Sequence, residues 1–226
     1  MKVCRTVGMN KFYYHNNRKI NAIIDCNIEI KAGECIAICG SKDSGKSTLL
    51  RILGGLERPT TGSVFIGDQD ITNYTDDELA ILRRKEIGYL FQKDSLIPEL
   101  NVHENITMPA ILAHNKYDEK YYEALTNQLN LQELLTNKPK QLTQYQLQAV
   151  SYARVLMNDP NIILVDNPEN DLSQLMDKSI LDYLLSQVYT KGKTLIMVTE
   201  EYHYDIYVDH IIRLEHGAVV ENKRIS

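Results

Sequence analysis

The chain has no long apolar run, no excess of positive charge and no paired-cysteine motif, and each absence removes a class of function. No stretch of the 226 residues is apolar over the length that spans a bilayer. The opening Met1-Lys2-Val3-Cys4-Arg5 does not read as a signal peptide, so any membrane role is expected to run through a partner. The net charge of −5 argues against a general nucleic-acid coat, and no nucleic-acid partner is expected. Cys4, Cys26, Cys35 and Cys39 form no CxxC pair and have no histidine cluster near them. They read as small buried apolar residues in a reduced, cytoplasmic setting. There is also no internal repeat, low-complexity segment or long linker. What remains is of ordinary globular composition, 43% hydrophobic and 24% charged, with enough chain for one domain and a subdomain.

Residues 1–35 alternate polar and apolar, as in Asn27-Ile28-Glu29-Ile30, and suggest antiparallel strands. Residues 62–69 read as a further strand with a turn, and 76–86 as a charged helix. From about Gln92 to Ala153 the pattern is helical, with Pro98, Pro109 and Pro139 as breaks. Ile162-Ile163-Leu164-Val165 and Thr194-Leu195-Ile196-Met197-Val198 are short apolar runs. Such strands, separated by helices, predict a parallel sheet covered on both faces. Ile211 to Leu214 and Gly217 to Val220 read as a terminal hairpin.

One segment carries chemistry. Gly40-Ser41-Lys42-Asp43-Ser44-Gly45-Lys46-Ser47 fits GxxxxGK(S/T), and it follows the apolar run Cys35 to Cys39 and opens a helix from Lys46 to Leu53. A glycine loop between strand and helix lets backbone N–H groups approach phosphate oxygens, and the positive end of the helix points at them. Lys46 would reach the β- and γ-phosphates, and Ser47, followed by Thr48, would ligate Mg2+. Asp166, which ends an apolar strand, would be the metal-directed carboxylate. Asp43 is unfavourable beside a triphosphate unless it stands in for glycine, in a left-handed conformation with its carboxylate facing solvent.

Together with this loop, Asp76-Asp77-Glu78-Leu79, the run from Leu82 to Gln92, Leu96-Ile97-Pro98-Glu99-Leu100-Asn101-Val102 and Glu104-Asn105-Ile106 resemble the ATP-binding subunits of ABC transporters. Within them they look closest to the branch serving lipoprotein release, macrolide export and antimicrobial-peptide resistance. The resemblance covers nearly the whole chain. It implies an α/β fold: a P-loop NTPase (RecA-like) core with an antiparallel β subdomain and an inserted α-helical subdomain. Residues 1–226 would form one domain, with about 1–92 and 154–226 as the core and 93–153 as the helical part. It also implies ATP and Mg2+ as ligands. Tyr13 would stack on adenine, with Tyr14 as the other candidate and simple packing as the alternative for both. Gln92 would touch the metal and the attacking water. The implied partners are a membrane permease, which would hold the chain at the inner face of the cell membrane, and a second ATP-binding subunit in a homodimer or heterodimer.

The chain departs from the family pattern at three places. The catalytic glutamate after Asp166 is replaced by Asn167, which cannot take a proton; loss of a general base typically costs about 10²–10⁴ in rate. The switch histidine is replaced by Glu200, with His203 coming three residues later. The signature LSGGQ is replaced by Leu142-Thr143-Gln144-Tyr145-Gln146, which keeps a hydroxyl but loses both glycines and puts the bulk of Tyr145 where backbone would approach phosphate. Asn170-Asp171-Leu172-Ser173 replaces the partner-facing aspartate segment. Base, switch and signature are altered in one chain, so neither a homodimer nor a pairing with an intact subunit gives a complete composite site. The expected function is an ATP-binding transporter subunit with weak or absent hydrolysis. Two alternatives stay open: a working transport ATPase with divergent motifs, in which Glu200 could serve as an exchanged base, and a nucleotide-dependent interaction protein without a permease.

Overall fold

The computed structural model describes residues 2–91, 96–113, 117–166, 178–199 and 208–225. The strands in chain order are β1 (Lys2–His15), β2 (Arg18–Cys26), β3 (Glu29–Lys31), β4 (Cys35–Cys39), β5 (Thr61–Ile66), β6 (Gln69–Asp70), β7 (Ile87–Leu90), β8 (Ile162–Val165), β9 (Thr194–Thr199), β10 (His210–Glu215) and β11 (Ala218–Arg224). The helices are α1 (Lys46–Leu53), α2 (Asp76–Glu86), α3 (Val102–Leu112), α4 (Glu119–Gln128), α5 (Gln144–Leu156) and α6 (Lys178–Lys191).

A strand sends successive side chains to opposite faces, and that alternation builds the molecule. Cys35, Ala37 and Cys39 of β4, Ile163 and Val165 of β8, and Leu195 and Met197 of β9 pack into one apolar cluster with the buried faces of α3, α4, α5 and α6. Ile36, Ile38, Ile162, Leu164, Ile196 and Val198 point the other way, into a second cluster with α1, α2 and the first strands. β4 and β8 are therefore apolar at every position, and β9 is apolar from Leu195 to Val198 between its terminal threonines. The resulting sheet runs β11-β10-β4-β9-β8-β7, parallel from β10 to β7, with the β10–β11 hairpin antiparallel at its edge. The expected parallel sheet and terminal hairpin are both present.

The second sheet, β2-β1-β5-β6 with β3 also paired to β1, is antiparallel. It lies over the α1 side, where Met9, Ile23, Ile28 and Val64 meet Leu49, Leu50, Ile52 and Leu53. All four cysteines are buried in these clusters. Burial pushes the thiols of Cys4 and Cys35 up to about 12 and that of Cys26 up to about 11, which leaves them protonated and unreactive at neutral pH.

One expectation fails. Pro109 does not break the helical pattern but lies inside α3. The ring removes one intrahelical bond, to the Asn105 carbonyl. That loss is outweighed by the Asn101–Glu104 capping box and by burial of Val102, Ile106 and Ala110. The helix continues past the proline, whose own carbonyl accepts from Ala113 N at 3.0 Å. Among the described residues no helix is long and apolar enough to cross a membrane.

Candidate functional site

Ligands of open parallel sheets bind beyond the carboxyl ends of the strands, and the motif residues gather there. The loop after β4 turns directly into α1. Gly45 caps that helix at φ 103°, a left-handed conformation that side chains resist. A Cβ at this position would lie 2.2 Å from the Ala22 carbonyl oxygen of β2, so the glycine is required by backbone angle and by space. Gly45→Ala is expected to destabilise the protein by several kcal/mol, near the upper end of single substitutions. Gly67→Ala, at φ 58° with nothing within 4 Å, should cost only about 1 kcal/mol. Thermal melts of the two variants would compare them.

Asp43 has φ 61° and is exposed, as the glycine-substitute reading requires. Asp43 nevertheless lines the cleft, so Asp43→Gly should keep the fold and tighten nucleotide binding several-fold. The gain should shrink at high salt, because exposed charges are screened within about 8 Å at physiological ionic strength. Titration at two salt concentrations would check both points.

Lys46 is buried, and its ammonium donates to the carbonyls of Gly40 at 2.8 Å and Ser41 at 2.7 Å. These bonds hold the amine beneath the arch of the loop. Ser44 is buried, and its Oγ has no hydrogen-bond partner among the described residues. An orphaned buried hydroxyl in a glycine loop is a donor suited to a phosphate oxygen. Ser47 Oγ donates to Asp166 Oδ1 at 2.8 Å, and Tyr89 Oη donates to Asp166 Oδ2 at 3.3 Å. Burial and the Asp166 charge push the Tyr89 hydroxyl far above the usual phenol range, so it remains a donor. The sequence reading places Ser47 and Asp166 together but misses Tyr89, whose only local signal is its position near the end of β7.

A cleft of about 650 Å³ opens in front of the loop. Residues 42–48 line it, with Tyr13, Ile20 and Ala22 of the β1–β2 ribbon and Arg51 of α1. Tyr13 thus lies at the loop, whereas Tyr14 is 71% exposed and packs edge-on against Phe12, outside the cleft lining. Oxygen ligands suit Mg2+, which favours a few protein oxygens together with phosphate and water. The Ser47 hydroxyl beside the Asp166 carboxylate fits that preference.

Thr143 caps α5, accepting from Gln146 N at 3.3 Å, while Gln146 Oε1 accepts from Thr143 N at 2.9 Å. Leu142 and the half-buried ring of Tyr145 pack against the helical apolar cluster. The bulk of Tyr145 is thus turned largely inward, and Thr143 and Gln144 are the exposed residues at this end. The expected steric obstruction narrows to Gln144 in place of glycine. Gln92, Asn167 and Glu200 lie outside the described residues, as do Asn170-Asp171-Leu172-Ser173 and His203.

The cradle after β4, with Ser47 and Asp166 brought together across the sheet, defines a P-loop NTPase fold. A model of the family described as ABC transporter matches residues 23–170, and the chain belongs to that family. A macrolide export ATP-binding/permease protein MacB of Shewanella sp. (strain ANA-3) is 38% identical over 208 residues, 91% of this chain and 32% of its own length. The protein of that name from Bdellovibrio bacteriovorus is 33% identical over 97% of this chain and 34% of its own length. These names agree with the macrolide-export branch that the sequence resembles, and the chain spans about a third of the length of these curated relatives. Among solved structures, dimeric MJ0796, described as a bacterial ABC transporter cassette, superposes with a TM-score of 0.90 at 33% identity, covering 99% of both chains. MJ0796 in a dimeric post-hydrolysis state bound to ADP and Pi gives 0.88 at 32% identity, again over 99% of both.

Proposed function

We propose that this chain binds Mg-ATP with weak or absent hydrolysis and serves as a regulatory or structural cassette of a membrane permease in the macrolide-export branch. The observation that carries the binding half is the pairing of Ser47 with Asp166 beside the loop that encloses Lys46. Loop amides and Lys46 hold the phosphates, Ser47 and Asp166 hold the metal, and Tyr13 faces the base. Bound Mg2+ would neutralise phosphate charge. The weak-hydrolysis half rests on sequence: Asn167 offers no base, Glu200 brings negative charge where a donor is needed, and Gln144 replaces a signature glycine. Residues 93–153 would form the helical part that meets the permease, and a second cassette, identical or not, would close over the nucleotide.

The test is nucleotide binding measured beside ATPase activity on one pure sample, with and without a permease. Saturable Mg-ATP binding with turnover far below about 1–10 per second, an ordinary enzyme rate, is expected. Turnover in that range removes the weak-hydrolysis reading, and failure to bind Mg-ATP removes the whole proposal.

A further inference from the structure

Behind Tyr13 lies a charged cluster that the phosphate chemistry does not use. Tyr13 Oη donates to Glu57 Oε1 at 2.6 Å. Lys11 Nζ lies 3.0 Å from the same oxygen, and Arg51 Nε lies 3.3 Å from Glu57 Oε2. Burial alone would push the Glu57 carboxyl up, but the hydrogen bonds from Tyr13, Lys11 and Arg51 outweigh it and hold the group below the usual carboxylate range. The backbone fixes Glu57 as well, because Leu56 N and Glu57 N both donate to Arg51 O, at 2.9 and 3.3 Å. Lys11 Nζ also sits 5.1 Å over the Tyr13 ring, which leaves the opposite face for stacking. Arg51 Nη2 in turn reaches Thr48 Oγ1 at 3.4 Å, so the cluster runs from the ribbon back to the helix that carries the loop.

We propose that Glu57 is a positioning residue of the base subsite. It tethers the Tyr13 hydroxyl, and with Lys11 and Arg51 it sets the ring at the mouth of the cleft, so that affinity for the base depends on Glu57 while affinity for the phosphates does not. An untethered tyrosine on an exposed ribbon would lose rotamer freedom on stacking, and pre-ordering it removes that cost from binding. The inference rests on the nucleotide-binding reading above.

The test compares Mg-ATP with magnesium tripolyphosphate by calorimetry on the whole chain. The variants are Tyr13→Phe, which keeps the ring and removes the tether, Glu57→Gln, which keeps an acceptor but not the charge, and Glu57→Ala. Wild type should bind ATP more tightly than tripolyphosphate. Glu57→Ala should weaken ATP about tenfold, the equivalent of one net hydrogen bond. Tyr13→Phe should come close to it and Glu57→Gln should lose less, while tripolyphosphate affinity changes less than twofold in all three. Equal losses for both ligands, or no loss in Tyr13→Phe, would overturn the role of Glu57 while leaving nucleotide binding intact. Wild type that binds tripolyphosphate as tightly as ATP would also overturn it. Wild type that binds neither ligand overturns the nucleotide reading, and this inference with it. Tyr13→Phe is conservative enough to decide the matter even if Glu57→Ala folds poorly.

Discussion

Lys46→Ala is expected to weaken Mg-ATP binding by at least about 100-fold, equivalent to about 2.8 kcal/mol. Charge-assisted hydrogen bonds are roughly twice as strong as neutral ones, and on the proposed reading the loop would bring several phosphate oxygens to one buried ammonium. The substitution also strips the Gly40 and Ser41 carbonyls of a donor at 2.8 and 2.7 Å. Leaving such groups unpaired costs about 1–3 kcal/mol each when water cannot reach them. Part of the binding loss therefore comes from a loop that no longer holds its arch. Lys46→Arg should fail nearly as badly, because a planar fork cannot sit where a compact ammonium meets two carbonyls. Titration with Mg-ATP, beside a circular-dichroism spectrum showing the fold retained, checks the expectation. An affinity within about threefold of wild type would mean that the cleft does not bind phosphate through this loop.

The loop was legible in the sequence because its requirements are local. Strand, glycines and helix follow one another, and Asp43 could be assigned a left-handed backbone from its residue type alone. The apolar runs of β4, β8 and β9 were equally plain, since both faces of each strand are buried. The strand β7 was not. Ile87-Gly88-Tyr89-Leu90 follows a charged helix without punctuation, and the need for Gly88 appears only in three dimensions, where a Cβ would stand 2.6 Å from Val155 Cγ1. Tyr89 with Asp166 and Tyr13 with Glu57 are pairs separated by 77 and 44 residues, and no periodicity links them. The inward turn of Tyr145 is hidden from the sequence for a related reason. Its role as a packing residue depends on which face of α5 meets the helical cluster, whereas the sequence shows only its size in place of glycine.

On the proposed weak-hydrolysis reading, rebuilding the three divergent motifs should produce the largest gain of any change in this chain. Asn167→Glu alone is expected to raise turnover only slightly. On the proposed reading, the restored base on one subunit of a homodimer would still face Leu142-Thr143-Gln144-Tyr145-Gln146 on the other, and Glu200 would still stand in place of the histidine. Asn167→Glu with Glu200→His and Gln144→Gly should act together and approach the roughly 10²–10⁴ in rate that a positioned base supplies. The gain should exceed the product of the single effects, since residues acting on one transition state are not additive. Tyr145 is best left in place at first. Its ring packs against the helical cluster, and Tyr145→Gly would cost about 0.5 kcal/mol in helix propensity before any loss of packing is counted. If the triple variant turns over and addition of Tyr145→Gly lowers stability without raising the rate, the tyrosine is structural and the obstruction lay at Gln144. A single Asn167→Glu variant that reaches the full gain would show instead that the divergent signature and Glu200 were competent throughout, and that one missing carboxylate had limited the site.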